Sequence, residues 1–224
     1  IGKQIMKQRS PIFETDGHQL ELLSKGRWAN ADLFCFSAQG SKWVVKDFSG
    51  CPPLVSGTWG RWMVMREYRA LVRLQGIDGI PEKPFLRDGQ ALGYQYVNGT
   101  TLRHVRTEEI PSNFFSDLEH LVRRMHQRKM VHLDIRNRRN IMLRSDGRPA
   151  LLDFQSSLDV RHMPPALGRM LKQIDLSGVY KTWYKLRPDL MDASRLARLQ
   201  AIERRRFIWV FKGYPLEHMK KRRR

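Results

Sequence analysis

Cysteine is scarce: the 224 residues hold two, Cys35 and Cys51. That excludes a disulfide scaffold and points to a reduced chain, with one bridge at most. Acidic residues are also few, 22 Asp plus Glu against 41 Lys plus Arg, which leaves a formal charge of +19. Such an excess predicts a polyanionic partner: nucleic acid, a phosphorylated substrate or an anionic membrane. No apolar run reaches the ~20 residues of a membrane-spanning helix. The opening IGKQIMKQRSPIF lacks the apolar centre of a secretory signal. There is no internal repeat and no long low-complexity stretch. What the chain does have is 41% hydrophobic and 10% aromatic residues. This is enough for a sizeable core and excludes wholesale disorder.

The first part reads as strands. Residues 18–23 (HQLELL), 31–36 (ADLFCF) and 42–48 (KWVVKDF) are rich in β-branched and aromatic side chains, with a hairpin loop over 37–41. Residues 59–74 have helical periodicity, with Met63, Glu67, Ala70, Leu71 and Leu74 near one face, and Gly76 and Pro81 mark the end. Two more strands are predicted over 84–87 and 91–97. Asn98-Gly99 then breaks the pattern and marks a boundary between lobes. A helix over 113–129 follows, with Ser112 as its cap and Phe115, Leu118, Leu121, Val122 and Met125 as its apolar stripe. A polar loop over 132–140 leads to short strands at 141–144 and 150–154, joined by the turn Ser145-Asp146-Gly147-Arg148. The rest is helical and very basic. Within it, 175–181 reads as a capped helix start or a turn, and 192–212 as a helix with an arginine-rich face. The expected fold class is α+β: five strands with one inserted helix, then a mostly helical half.

Four elements fall in a telling order. Lys46 lies in an apolar strand and Glu67 on the next helix. His132-Leu133-Asp134 opens a polar loop that closes at Asn140. Asp153-Phe154-Gln155 ends the following hairpin. Singly, each residue has an ordinary structural reading: a solvated strand lysine, a surface glutamate, loop-capping aspartates, a satisfied core histidine. No second His or Cys lies at ligand spacing from His132, which argues against zinc. In this order the set resembles the protein-kinase-like superfamily, with its strand lysine, helix glutamate, H-x-D…N loop and D-F-G-like loop. The stretch VHLDIRNRRNIMLRSDGRPALLDFQSS most resembles small bacterial kinases related to the RIO kinases and to the lipopolysaccharide kinases that phosphorylate Kdo or heptose. The likeness covers about residues 22–157.

The resemblance implies a two-lobed protein-kinase-like fold: a nucleotide-covering N-lobe over 1–98 with a five-stranded antiparallel sheet, and a minimal helical C-lobe over 99–224. It implies ATP and Mg2+ as cofactors. Lys46 would neutralise phosphates and Glu67 would hold that lysine. Asp134 would orient the attacking hydroxyl and accept its proton, and Arg136 would touch the γ-phosphate. Asn140 and Asp153 would supply oxygens to the metal. Gly26, Tyr96 and Val97 would cover the nucleotide and bind its base. Val44, Leu151, Leu152 and Tyr94 would line that pocket or belong to the core. His132 would be structural.

The sequence departs from the family pattern in three places. SKGRWANADLF keeps Gly26 but has no G-x-G-x-x-G, so Arg27 and Asn30 are candidates to contribute side-chain donors. Asn140 stands six positions after Asp134, one more than in eukaryotic-type kinases, and Asn137 competes with it for the metal, though the hairpin spacing to Asp153 favours Asn140. Gln155 replaces the glycine after Asp-Phe, which removes a flexible hinge.

Arg138 and Arg139 either contact the chain and solvent or receive a phosphorylated acceptor. The basic C-terminal part either packs under the lower lobe, lies on an anionic membrane or contacts RNA, the last not favoured. The expected activity is ATP-dependent phosphotransfer to a hydroxyl of an anionic acceptor, a lipid-linked sugar or a protein. The expected location is cytoplasmic, with peripheral contact at the inner membrane face as an option. The competing class is a kinase-fold binding module.

Overall fold

The computed structural model describes residues 21–25, 31–38, 40–50, 60–87 and 89–208. Gly26, Arg27, Asn30, Cys51 and the residues after 208 lie outside this set, as does the start of the first predicted strand. The fold is α+β and kinase-like.

Strands β1 (Glu21–Ser24), β2 (Asp32–Ala38), β3 (Ser41–Asp47), β4 (Phe85–Arg87) and β5 (Ala91–Gln95) form one antiparallel sheet in the order β1-β2-β3-β5-β4. Helix α1 (Gly60–Leu74) is inserted between β3 and β4. Successive strand residues face opposite ways. Val45 accordingly packs with Ala91, Phe36 and Phe85 on one face of the sheet, while Val44 and Lys46 share the other. The helix buries Val64, Glu67, Ala70, Leu71 and Leu74. Val64 joins the predicted stripe, and Met63 packs against the core half-buried. Each fully buried leucine is worth roughly 1.5–3 kcal/mol of apolar transfer. Cys35 is a free, buried thiol.

The second half holds α2 (Phe114–Gln127), α3 (Pro165–Leu186) and α4 (Ala193–Ile208), with five short strands: β6 (Gly99–Thr101), β7 (Met130–Val131), β8 (Ile141–Arg144), β9 (Pro149–Leu151) and β10 (Leu158–Asp159). β6, β8 and β9 form one small sheet, and β7 and β10 another. The break at Asn98-Gly99 is thus followed at once by a strand that pairs with β8. The α2 stripe is buried as predicted, joined by Phe114. Its cap is not Ser112: the N-cap residue is Asn113, which makes no side-chain cap bond.

The larger correction concerns residues 175–181. They lie inside the 22-residue α3. Asp175 reads as a cap because Asp is a poor helix former that normally competes for backbone N–H groups. Its carboxylate does so here, but with a different segment of the chain. α3 begins with Pro165 at its first turn, where the missing N–H costs nothing. Asp192 caps α4 by accepting Arg195 N–H at 2.9 Å.

Candidate active site

Lys46 sits one residue from the C-terminal end of β3, 5% exposed. Its Nζ donates to Glu67 Oε1 at 2.6 Å and to Asp153 Oδ1 at 3.1 Å. Three residues separated by up to 107 positions therefore meet at one ammonium. Burial alone would push the lysine pKa down, but the two carboxylates outweigh it and hold it well above its usual value. Burial raises the Asp153 carboxyl, and the Lys46 ammonium more than reverses that, so Asp153 lies below the usual carboxylate range. Both groups are charged at neutral pH. Tyr94, buried behind them on β5, is pushed up to about 12 by burial and remains a neutral phenol.

Glu67 is a hub. Its Oε1 also accepts Phe154 N–H at 3.2 Å, which ties the D-F-Q turn to α1. A second tie is Arg66, whose guanidinium donates to Ser157 O at 2.7 Å and Ser156 O at 3.0 Å. Asp153 itself stands at φ 63° and ψ 75°. Left-handed backbone costs a residue with a Cβ ~1–2 kcal/mol. Leu133, beside Asp134, has φ 66° as well. Such strain persists only where surrounding bonds over-determine the backbone.

The hairpin β8–β9 brings Asn140 and Asp153 together. Ile141 pairs with Leu151 in antiparallel register. The next pair outward is therefore Asn140 with Leu152, and Leu152 N–H donates to Asn140 O at 2.8 Å. Asn140 is 3% exposed, and its Nδ2 donates to Asp134 Oδ2 at 2.8 Å and to Asp134 O at 3.1 Å. Asn137 is exposed and reaches Asp134 Oδ2 only at 3.4 Å. The longer loop is thus accommodated with Asn140 still against Asp134. His132 is fully buried. Its Nε2 lies 3.0 Å from Leu152 O, and its Nδ1 accepts Asp134 N–H at 3.3 Å. That makes Nε2 the protonated nitrogen and the ring a brace for the loop.

One residue at the centre of this loop escapes a reading of the sequence. Asp175 of α3, 1% exposed, accepts His132 N–H at 2.8 Å, Leu133 N–H at 2.7 Å and His126 Nε2 at 2.9 Å. Gly178, one turn on, lets the helix close on the loop. A Cβ there would lie 3.1 Å from Ile135 Cβ and 3.2 Å from Arg136 N. The signal available was an Asp and a Gly at i and i+3 on one helix face.

Arg136 and Arg139 are exposed, and Arg138 is half-buried. Elsewhere in the helical part arginines are consumed by carboxylates: Arg123 and Arg195 by Glu119, Arg144 by Asp78 and Asp146, Arg187 by Asp189. The side chains of Arg136, Arg138 and Arg139 have no such partner among the described residues. In the connector after β5, Tyr96 N–H already donates to Lys42 O at 2.8 Å. The Val97 and Asn98 amides donate no backbone bond among the described residues.

Among the described residues no three His, Cys, Asp or Glu side chains cluster as metal ligands. Asn140 and Asp153 offer two oxygens. That donor set fits magnesium, which binds through one or two protein oxygens and takes the rest of its shell from phosphate and water. It does not fit zinc.

The family model of the RIO domain matches residues 58–196, more than half of the chain. The chain belongs to the RIO domain family. The match runs from just before α1 into α4 and so takes in Glu67, Asp134, Asn140, Asp153 and Asp175. Lys46 lies before it, and the 2.6 Å bond to Glu67 attaches that lysine to the matched region. A comparison with curated proteins finds no match. RIO domain membership implies a kinase-like domain and ATP-dependent phosphotransfer. No helix among the described residues is long and apolar enough to cross a membrane.

Proposed function

We propose that this RIO domain protein transfers the γ-phosphoryl group of ATP to a hydroxyl of an anionic acceptor, in a cleft between an N-lobe over 1–98 and a C-lobe over 99–224. The observation that carries the reading is the buried Lys46 ammonium held between Glu67 and Asp153, beside a loop in which Asn140 fixes Asp134. Lys46 neutralises the α and β phosphates, and Glu67 keeps it extended. The Val97 backbone and the connector at Tyr96 receive the base, with Gly26 covering the phosphates. Asn140 and Asp153 would hold magnesium, which would supply positive charge to offset that of the transferring phosphoryl group. Asp134 aligns the acceptor hydroxyl and takes its proton, an effect of ~10²–10⁴-fold. Arg136, two positions on, contacts the γ-phosphate.

The preferred acceptor is a lipid-linked sugar of the lipopolysaccharide-core kind. Two observations support it. Arg138 and Arg139 present guanidinium groups without carboxylate partners, suited to bidentate contact with phosphate. Between the D-F-Q turn and α3 stand only residues 156–164, too few for an extended platform that would seat a folded protein. The family match favours a second reading, a RIO-type protein serine/threonine kinase.

A thermal-shift series tests the core reading. MgATP should raise the melting temperature, and Asp153→Ala should abolish most of the rise. An absence of any nucleotide effect on the wild type would make the protein a kinase-fold binding module. Radiolabelled ATP offered with lipopolysaccharide core, casein-like protein or RNA-containing particles then separates the acceptors. Label on the protein sample alone would refute the lipid-sugar preference.

A further inference from the structure

Helix α1 has a second face, about 180° from Glu67. Trp62, Met65, Arg66, Arg69, Val72 and Arg73 form its stripe. This stripe is one wall of a groove of about 690 Å³. The other wall is Met130 with the segment Ser157–Arg161, which carries Leu158 and Asp159. The volume is that of a ligand cleft rather than a packing defect.

Two features decide what fits. The first is charge: four arginines (Arg66, Arg69, Arg73, Arg161) face one carboxylate, Asp159. Arg161 pairs with Asp159 at 2.6 Å, and Arg73 reaches the same carboxylate only at 4.0 Å. The remaining bonds go to neutral carbonyls: Arg66 to Ser156 and Ser157, Arg73 to Arg128 at 2.6 Å. These orient the guanidinium groups without neutralising them. Arg69 is exposed and has no acidic partner among the described residues. The second feature is apolar area. Trp62 and Val72 are about half exposed (50% and 46%), two of the six large hydrophobic side chains left so among the described residues. Arg66 lies over the Trp62 ring at 4.9 Å.

We infer that this groove docks an acidic peptide segment of a partner protein that carries apolar anchor side chains. Carboxylates of the segment meet Arg69, Arg66 and Arg73, and its anchors cover Val72, Leu158 and the Trp62 ring. Trp and Arg together are the residue types that dominate such interfaces. A nucleic-acid backbone would match the charge but has no aliphatic groups for Val72 and Leu158. A bilayer surface is too flat to enter the groove. The inference does not rest on the phosphotransfer reading, although Arg66 also ties α1 to the segment just after the D-F-Q turn.

Selection from a displayed library of random 12-residue peptides on the full chain tests it, with counter-selection on Trp62→Ala/Arg69→Glu. The double variant should still unfold in one cooperative transition, because Arg69 is exposed and Trp62, half exposed and stacked under Arg66, lies outside the buried core; its melting temperature is measured beside binding. The expected winners are net acidic with two or more apolar residues. They should bind at least about tenfold more weakly to the double variant, and their affinity should fall with added salt. Winners that are neutral or basic, that bind both proteins equally, or that fail to emerge would overturn the proposal. So would a homopolymer RNA or phosphatidylglycerol vesicles whose binding, unlike that of the peptides, is lost in the double variant.

Discussion

Asp175 holds the Leu133 N–H at 2.7 Å across 42 positions of sequence, and the strained backbone beside Asp134 rests on that bond. The same carboxylate accepts His132 N–H and His126 Nε2. Asp175→Asn would replace one acceptor oxygen by an NH2 facing donors. We expect a loss of about 2–4 kcal/mol in denaturant unfolding. We also expect a fall in the phosphotransfer rate with MgATP affinity largely kept, because the loop and not the nucleotide pocket is disturbed. Wild-type stability in this variant would show that the buried carboxylate is not what holds the loop.

Gly178 closes the same contact. A valine there would drive its branches into Ile135 and the Arg136 amide, which already lie within 3.2 Å of where its Cβ would stand. Gly178→Val should cost about 1–3 kcal/mol by overpacking. Unchanged midpoints in urea would mean that α3 and the loop can separate without penalty.

Glu119 joins α2, α3 and α4 by accepting from Arg123, Tyr180 and Arg195 at 2.6, 2.9 and 2.6 Å. Burial raises its pKa, but the bonds from Arg195, Arg123 and Tyr180 outweigh burial and hold it below the usual 4.5. A carboxyl depressed in the folded state binds more protons when unfolded. It contributes stability in full above the unfolded value and loses it as pH falls through the folded one. The melting temperature should therefore drop as pH falls below 4.5. Glu119→Gln should melt lower at neutral pH and show a shallower acid limb. Parallel acid limbs for the two proteins would contradict this assignment.

Under the proposed function Arg138 and Arg139 bind the acceptor. Exchanging both for serine should raise the acceptor KM about tenfold or more, with kcat little changed, because uniform binding and not transition-state binding is removed. The salt dependence of kcat/KM should weaken in parallel. A fall in kcat at constant KM would place these side chains in the chemical step instead.

The line of chemistry Lys46, Glu67, Asp134, Asn140, Asp153 could be read from the chain because each member sits on or beside a strongly patterned element. The apolar strand WVVKDF places the lysine on a well-patterned strand, and the i, i+4, i+7 spacing of α1 puts Glu67 near its apolar face. The hairpin between Asn140 and Asp153 even prefers Asn140 over Asn137, since antiparallel register sets its two ends side by side. Asp175 could not be read in this way. Its local signal is that of a helix cap, and its partners are backbone N–H groups that any residue could supply. Nor could the sequence tell that Tyr96 N–H is spent on Lys42 O, or which arginines are neutralised.

Residue order and periodicity determined by themselves most of the longer elements and the α+β class, and pointed to the side chains proposed for phosphotransfer, because those depend on short-range spacing. Only the tertiary structure decided which backbone donors and which charges were left uncommitted. That is a matter of long-range partners: Asp175 is taken up by the loop at His132 and Leu133, Glu119 by two arginines and a tyrosine, and the arginines of α1 are left facing a groove.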